Sequence, residues 1–126
     1  MLDFNSEGVF ARLWKVENEE FDKIIRDYLI DTEEIIGSYK SAHHGVIFTN
    51  KRIIAISIRG LAGKKRDYTS MPYSRISTYS LETASLFDPD AELQIYMTGV
   101  GKVAFQFTGK TDVKEICNAI SRYVLE

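Results

Sequence analysis

Phe48-Thr49-Asn50-Lys51-Arg52-Ile53-Ile54-Ala55-Ile56-Ser57-Ile58-Arg59 is the stretch that decides the fold class. Ile54, Ile56 and Ile58 alternate with Ala55, Ser57 and Arg59, the period of a strand with one strongly apolar face. Asn50-Lys51 separates this run from Gly45–Thr49 and reads as a tight hairpin. The period of two extends outward from there, over Glu34 to Phe107, in β-branched and aromatic runs broken by turn residues. The strands expected are about Glu34–Ser41, Gly45–Thr49, Arg52–Arg59, Arg66–Met71, Ile76–Thr83, Glu92–Met97 and Val103–Thr108. Gly60–Gly63 makes a longer loop, and Gly99-Val100-Gly101 a hairpin. Connections this short favour an antiparallel meander, because a parallel crossover needs a dozen or more residues.

Helical spacing flanks the strands. Phe21, Ile24, Ile25, Tyr28 and Leu29 share one face of a helix predicted over about Asn18–Leu29, with Asn18 as N-cap and Glu19 and Glu20 in the first turn. Upstream, the spacing of Val9, Phe10, Leu13 and Trp14 suits a further helical turn or two, although Gly8 weakens it. At the other end Val113, Ile116, Cys117, Ile120 and Val124 form a stripe behind an Asp112…Glu115 capping box. That stripe must be buried, and the open end of a curled sheet is the natural place. Ile116 and Ile120 are expected to plug it, whereas Ser121, off the stripe, reads as a replaceable surface position. The chain is expected to form a single domain over 1–126, with a helical extension over about 1–30 and a body over about 33–126.

Composition narrows the class. The 126 residues are 44% hydrophobic and 27% charged, with a formal net charge of −2. A chain of this size buries roughly two-thirds of its unfolded surface, enough for one core without staples. The single cysteine, Cys117, excludes an internal disulfide and a multi-cysteine zinc site. A reducing cytoplasm suits it, and the first ten residues contain no Lys or Arg and no signal-length apolar run. The near-neutral balance argues against a dedicated nucleic-acid binder. No stretch reaches the ~18 apolar residues of a membrane span.

Several short strings, in order and spacing, resemble the small bacterial pleckstrin-homology (PH) domain family. They are Phe48-Thr49-Asn50-Lys51-Arg52, the loop GLAGKKR over Gly60–Arg66, Met71-Pro72-Tyr73-Ser74-Arg75-Ile76, Leu81-Glu82-Thr83-Ala84 and Asp88-Pro89-Asp90-Ala91-Glu92-Leu93. With the preceding helix they cover roughly Phe21 to Leu125. The resemblance implies an α+β, PH-like barrel of seven antiparallel strands in two near-orthogonal sheets, capped by the C-terminal helix, with an extra N-terminal helix. It implies a ring-like homo-oligomer and no catalytic activity, hence no cofactor.

The candidate sites are few. Lys64-Lys65-Arg66 after Gly60 and Gly63 is the one dense basic cluster, and Gly63, Lys64, Lys65 and Arg66 form a candidate loop for an anion or a partner. PH domains that bind phosphoinositides use a basic pattern in the loop after their first strand. The corresponding loop here, Ser41-Ala42-His43-His44, has no Lys or Arg. His43 and His44 are adjacent, so their rings diverge and read as a loop pair. No G-x-S-x-G or H-E-x-x-H string occurs. Cys117 reads as a small buried hydrophobe. Asp88-Pro89-Asp90 lacks calcium-loop spacing and reads as a turn. Trp14, Tyr39, Tyr73, Tyr79 and Tyr96 read as core or sheet-surface residues, some able to anchor an interface. The expectation is therefore a non-enzymatic module that contacts protein, first copies of itself, with a peripheral anionic-lipid or phosphate binder as the alternative.

Overall fold

A computed structural model describes residues 1–5, 8–59, 65–83, 90–109 and 111–126. Its elements are β1 (Val9–Val16), α1 (Glu19–Ile25), a 3-10 turn (Arg26–Tyr28), β2 (Ile35–Lys40), β3 (His44–Thr49), β4 (Arg52–Arg59) and β5 (Lys65–Pro72). A second 3-10 turn (Tyr73–Arg75), β6 (Ile76–Glu82), β7 (Ala91–Met97), β8 (Gly101–Phe107) and α2 (Val113–Leu125) complete the chain. The strands β2 to β8 lie within one or two residues of the expected ones at each end, but the expected single meander is split into two, β2–β5 and β6–β8, with β5 and β6 at opposite edges of the sheet.

Two expectations are corrected by β1. The Val9–Trp14 segment is a strand, and the described residues form eight strands in one mixed sheet, ordered β5-β4-β3-β2-β1-β8-β7-β6, in place of seven in two. The first half of β1 runs parallel to β8, with Phe10 opposite Phe105 and Leu13 opposite Phe107. Its last residues run antiparallel to β2, with Trp14 opposite Lys40 and Val16 opposite Ser38. One strand thus stitches the two halves of the curl together. Between Phe10 and Leu13 it spends three steps where β8 spends two, and Arg12 sits there at φ +57°. That extra residue is a bulge, and it restores the inward aim of Leu13.

The curl encloses a core of Phe10, Leu13, Phe48, Leu93, Phe105 and Phe107 among others, all essentially inaccessible. Phe10 stacks on Phe105 at a centroid distance of 5.5 Å, and Tyr39 meets Phe107 edge-on at 5.2 Å. At one end α2 inserts Ile116 and Ile120, as expected of its stripe. Asp112 caps this helix by accepting from the N–H groups of Lys114 at 3.1 Å and Glu115 at 3.3 Å. Ser121 is not a free surface position, because its hydroxyl lies 2.7 Å from that of Tyr79 on β6. Cys117 is half-buried at the edge of the stripe.

The Ile54–Ile56 face of β4 does not line this core. It belongs to a second cluster on the outside of the sheet, where Ile47, Ile54 and Ile56 lie under Phe21 and Ile25 of α1. The core-facing side of β4 is Ile53 and Ala55. Gly45 makes the docking of α1 possible: a Cβ there would meet the Phe21 ring at 2.7 Å. The helix is shorter than its spacing predicts. It ends at Ile25, and the tighter turn that follows rotates Tyr28 outward to 60% exposure. Asn18 precedes α1 without a side-chain cap and accepts instead from Ser38 Oγ at 3.0 Å.

Candidate interaction surface

The Thr-Asn-Lys-Arg turn between β3 and β4 builds a clasp. Arg52 donates from Nε to Glu33 Oε2 at 2.8 Å and from Nη2 to Oε1 at 2.9 Å, a bidentate pair that fits the guanidinium fork to a carboxylate. Thr49 Oγ1 donates to Glu33 Oε2 at 2.7 Å, and Ile30 N–H donates to Oε1 at 3.2 Å. Arg52 Nη2 also reaches the Tyr28 carbonyl at 2.8 Å, while Asn50 Nδ2 donates to the Thr32 carbonyl and its Oδ1 accepts from Glu34 N–H. Burial alone would raise the Glu33 carboxyl, but hydrogen bonds from Arg52, Thr49 and Ile30 N–H, with the Arg52 charge, hold it below its usual range. Tyr73 closes the turn from below by donating to the Thr49 carbonyl at 2.7 Å. The string that carries the family resemblance thus fixes the conformation of residues 28–34.

Of the sequence-predicted basic loop, Gly63 and Lys64 lie outside the described residues, as do Gly60 and the Ala84 and Asp88-Pro89 strings. Lys65 and Arg66 open β5, both exposed. Lys65 pairs with Arg59 and Arg66 with Ile58, so the two side chains point to opposite faces of the sheet. Arg66 faces the outside, where a groove of about 400 Å³ runs between α1, the β2–β3 turn and the end of β4. Its apolar lining includes Trp14, Phe21, Ile24 and Ile58; Lys40 and Arg66 are its cations. Trp14 and Ile58 remain 40% and 38% exposed. Lys40 is paired with Glu20 and lies 6.0 Å over the Trp14 ring. Arg66 makes no ion pair among the described residues. His43 is exposed, and His44 packs edge-on against Phe10 at 5.2 Å. Tyr39 and Tyr73 are buried, whereas Tyr96 stands on the surface.

A curled, largely antiparallel sheet with one end closed by a C-terminal helix defines a PH-like fold, and the comparisons carry it to a family. The bacterial PH domain model matches residues 6–124, and the chain belongs to that family. It is 39% identical over 93 residues to the uncharacterized protein YjqA of Bacillus subtilis, a match spanning 74% of each chain. The crystal structure of a protein with a pleckstrin-homology domain from Shewanella loihica superposes with a TM-score of 0.79 at 31% identity, over 90% of this chain and 98% of that one. A pleckstrin-homology domain from Shewanella amazonensis gives 0.67 at 36% identity, over 88% and 90%. Among the described residues no helix is long and apolar enough to cross a membrane.

Proposed function

We propose that this PH-family module is a non-enzymatic cytoplasmic protein that works through protein contacts and associates with copies of itself in a ring. The observation that carries the reading is the edge of the sheet. β6 stands at the end of the strand order, paired among the described residues only with β7, and its seven residues include neither Lys nor Pro, the usual guards of an open edge. Such an edge accepts a strand from another chain. The opposite edge, β5, is partly dressed, since Leu2 N–H donates to Thr69 Oγ1 at 2.9 Å. Light scattering coupled to size exclusion tests this: a mass of several protomers at micromolar concentration is expected, and a monomer overturns the reading.

A second reading rests on Lys65. It opens β5 beside Arg66, both exposed, directly after the glycine-containing basic loop, and cations so placed suit a phosphate or an anionic headgroup. Vesicles containing anionic lipid should then pull down the chain and release it as salt shortens the Debye length to below about 10 Å. Binding that is absent, or unchanged by charge reversal at Lys64, Lys65 and Arg66, removes this reading.

A further inference from the structure

We propose that the outer groove beside α1 is a docking site for a short amphipathic helix of a different protein, which seats a large apolar side chain on Trp14 and Ile58 and sets an Asp or Glu against Arg66. The inference rests on the protein-contact part of the reading above and is independent of self-association, since β6 contributes nothing to this groove.

The outer face of the first five strands is covered over only part of its extent. Phe21 and Ile25 of α1 lie over Ile47, Ile54 and Ile56, and the Tyr28 ring rests 5.1 Å from that of Tyr68. Past Phe21 the cover stops. Ile58 continues the same face of β4 two residues after Ile56 and is 38% exposed, and Trp14 of β1 is 40% exposed. With seven residues α1 is only about 10 Å long, and the groove of about 400 Å³ lies where a second helical segment would complete the layer. Trp14 and Ile58 stand on strands paired on both sides, β1 between β2 and β8 and β4 between β3 and β5. No backbone edge is open there, so the occupant meets side chains, as a helix in a groove does.

Charge complementarity selects the occupant and its direction. Lys40, 6.0 Å over the Trp14 ring, is already neutralised by Glu20. Arg66, at the β5 side of the groove, is exposed and makes no ion pair among the described residues, so the surplus charge is positive and sits at one end. A helix can bring a carboxylate to that end alone. A flat anionic bilayer that reached the groove would also meet the exposed Glu19 and Glu20 in the first turn of α1, which rises above the sheet. An exposed charge pair adds little affinity, so the apolar seat carries the binding and Arg66 the selectivity. Trp and Arg are the residue types that anchor interfaces.

Trp14 is the single tryptophan of the chain, so its emission reports on this groove. The test selects a phage library of helical 16-residue peptides on the full chain, with counter-selection on Ile58→Glu/Arg66→Glu. The expected consensus pairs Leu, Ile or Phe at i and i+4 with an Asp or Glu toward one end. The synthetic consensus peptide should shift Trp14 emission to the blue, and Arg66→Gln should weaken its binding about two- to fivefold. Peptides that fail to distinguish the wild-type chain from the double variant, or a consensus without an acid, overturn the proposal. So do phosphatidylglycerol vesicles that shift Trp14 as strongly as the peptide, which would give the groove to a membrane. Should circular dichroism show the double variant unfolded, Arg66→Glu alone serves for counter-selection. Light scattering of the wild-type chain reports self-association separately, and a monomer there leaves the peptide result standing.

Discussion

Glu33 and Arg52 meet through two parallel hydrogen bonds of 2.8 and 2.9 Å, although nineteen residues separate them and Glu33 is almost wholly buried. This pair ties the segment after α1 to the β3–β4 turn. Removing one partner leaves a buried charge without its counterion, a larger cost than replacing both. Arg52→Met should lose roughly 3 kcal/mol in urea unfolding, and Glu33→Leu/Arg52→Met should recover more than half of that. A double variant as unstable as the single one would show that the pair contributes in its own right.

The same carboxylate sets a pH dependence. Its folded pKa lies below its ordinary value of 4.5, so the folded state holds the proton more weakly than the unfolded chain. The stabilisation is fully present above that ordinary value and fades as pH falls through the folded one. Urea midpoints followed from about pH 6 down to about pH 3 should decline, and Glu33→Gln should decline less across the same window.

The α2 plug predicts a graded pair. Ile120 is inaccessible, and Ile120→Ala should cost roughly 2–5 kcal/mol through lost transfer energy and the cavity left behind. Ser121→Ala removes one hydrogen bond to Tyr79 and should cost about 1 kcal/mol. Equal losses would mean that the helix is not seated by its Ile stripe.

Arg12 occupies the left-handed region at the β1 bulge. Arg12→Gly relieves that strain while adding chain entropy to the unfolded state, so stability should stay within about 0.5 kcal/mol. Arg12→Val places a β-branched side chain at positive φ and should cost more than about 1 kcal/mol by the same urea measurement.

The bulge also explains why β1 is illegible in the sequence. A regular strand would bury alternate residues, but the extra residue at Arg12 sets Phe10 and Leu13 three apart, both pointing inward. Three apart is a helical interval, so local spacing alone reads this strand as a helix. Tyr28 departs in a complementary way: it continues the apolar stripe of α1 by spacing, yet after the tighter turn beyond Ile25 its ring rests 5.1 Å from that of Tyr68 and stays 60% exposed.

Local periodicity and turn chemistry determined the strands from β2 to β8, the antiparallel hairpins within β2–β5 and within β6–β8 and the closing stripe of α2, because each hairpin partner is also a sequence neighbour; the parting of β5 and β6 to opposite edges was decided only by the tertiary fold. Which apolar face of β4 lines the core was decided only in three dimensions, since Ile53 and Ala55 face inward while Ile54 and Ile56 lie beneath a helix thirty residues earlier. The joining of the curl into one sheet was decided there too, by a parallel contact between residues nearly a hundred positions apart. The basic cluster shares that limit. Lys65 and Arg66 are adjacent in sequence, but strand alternation sends them to opposite faces, and the groove that Arg66 enters draws Trp14, Phe21, Lys40 and Ile58 from four different elements. A sequence records the side chains, and only the pairing of distant strands sets which of them share a surface.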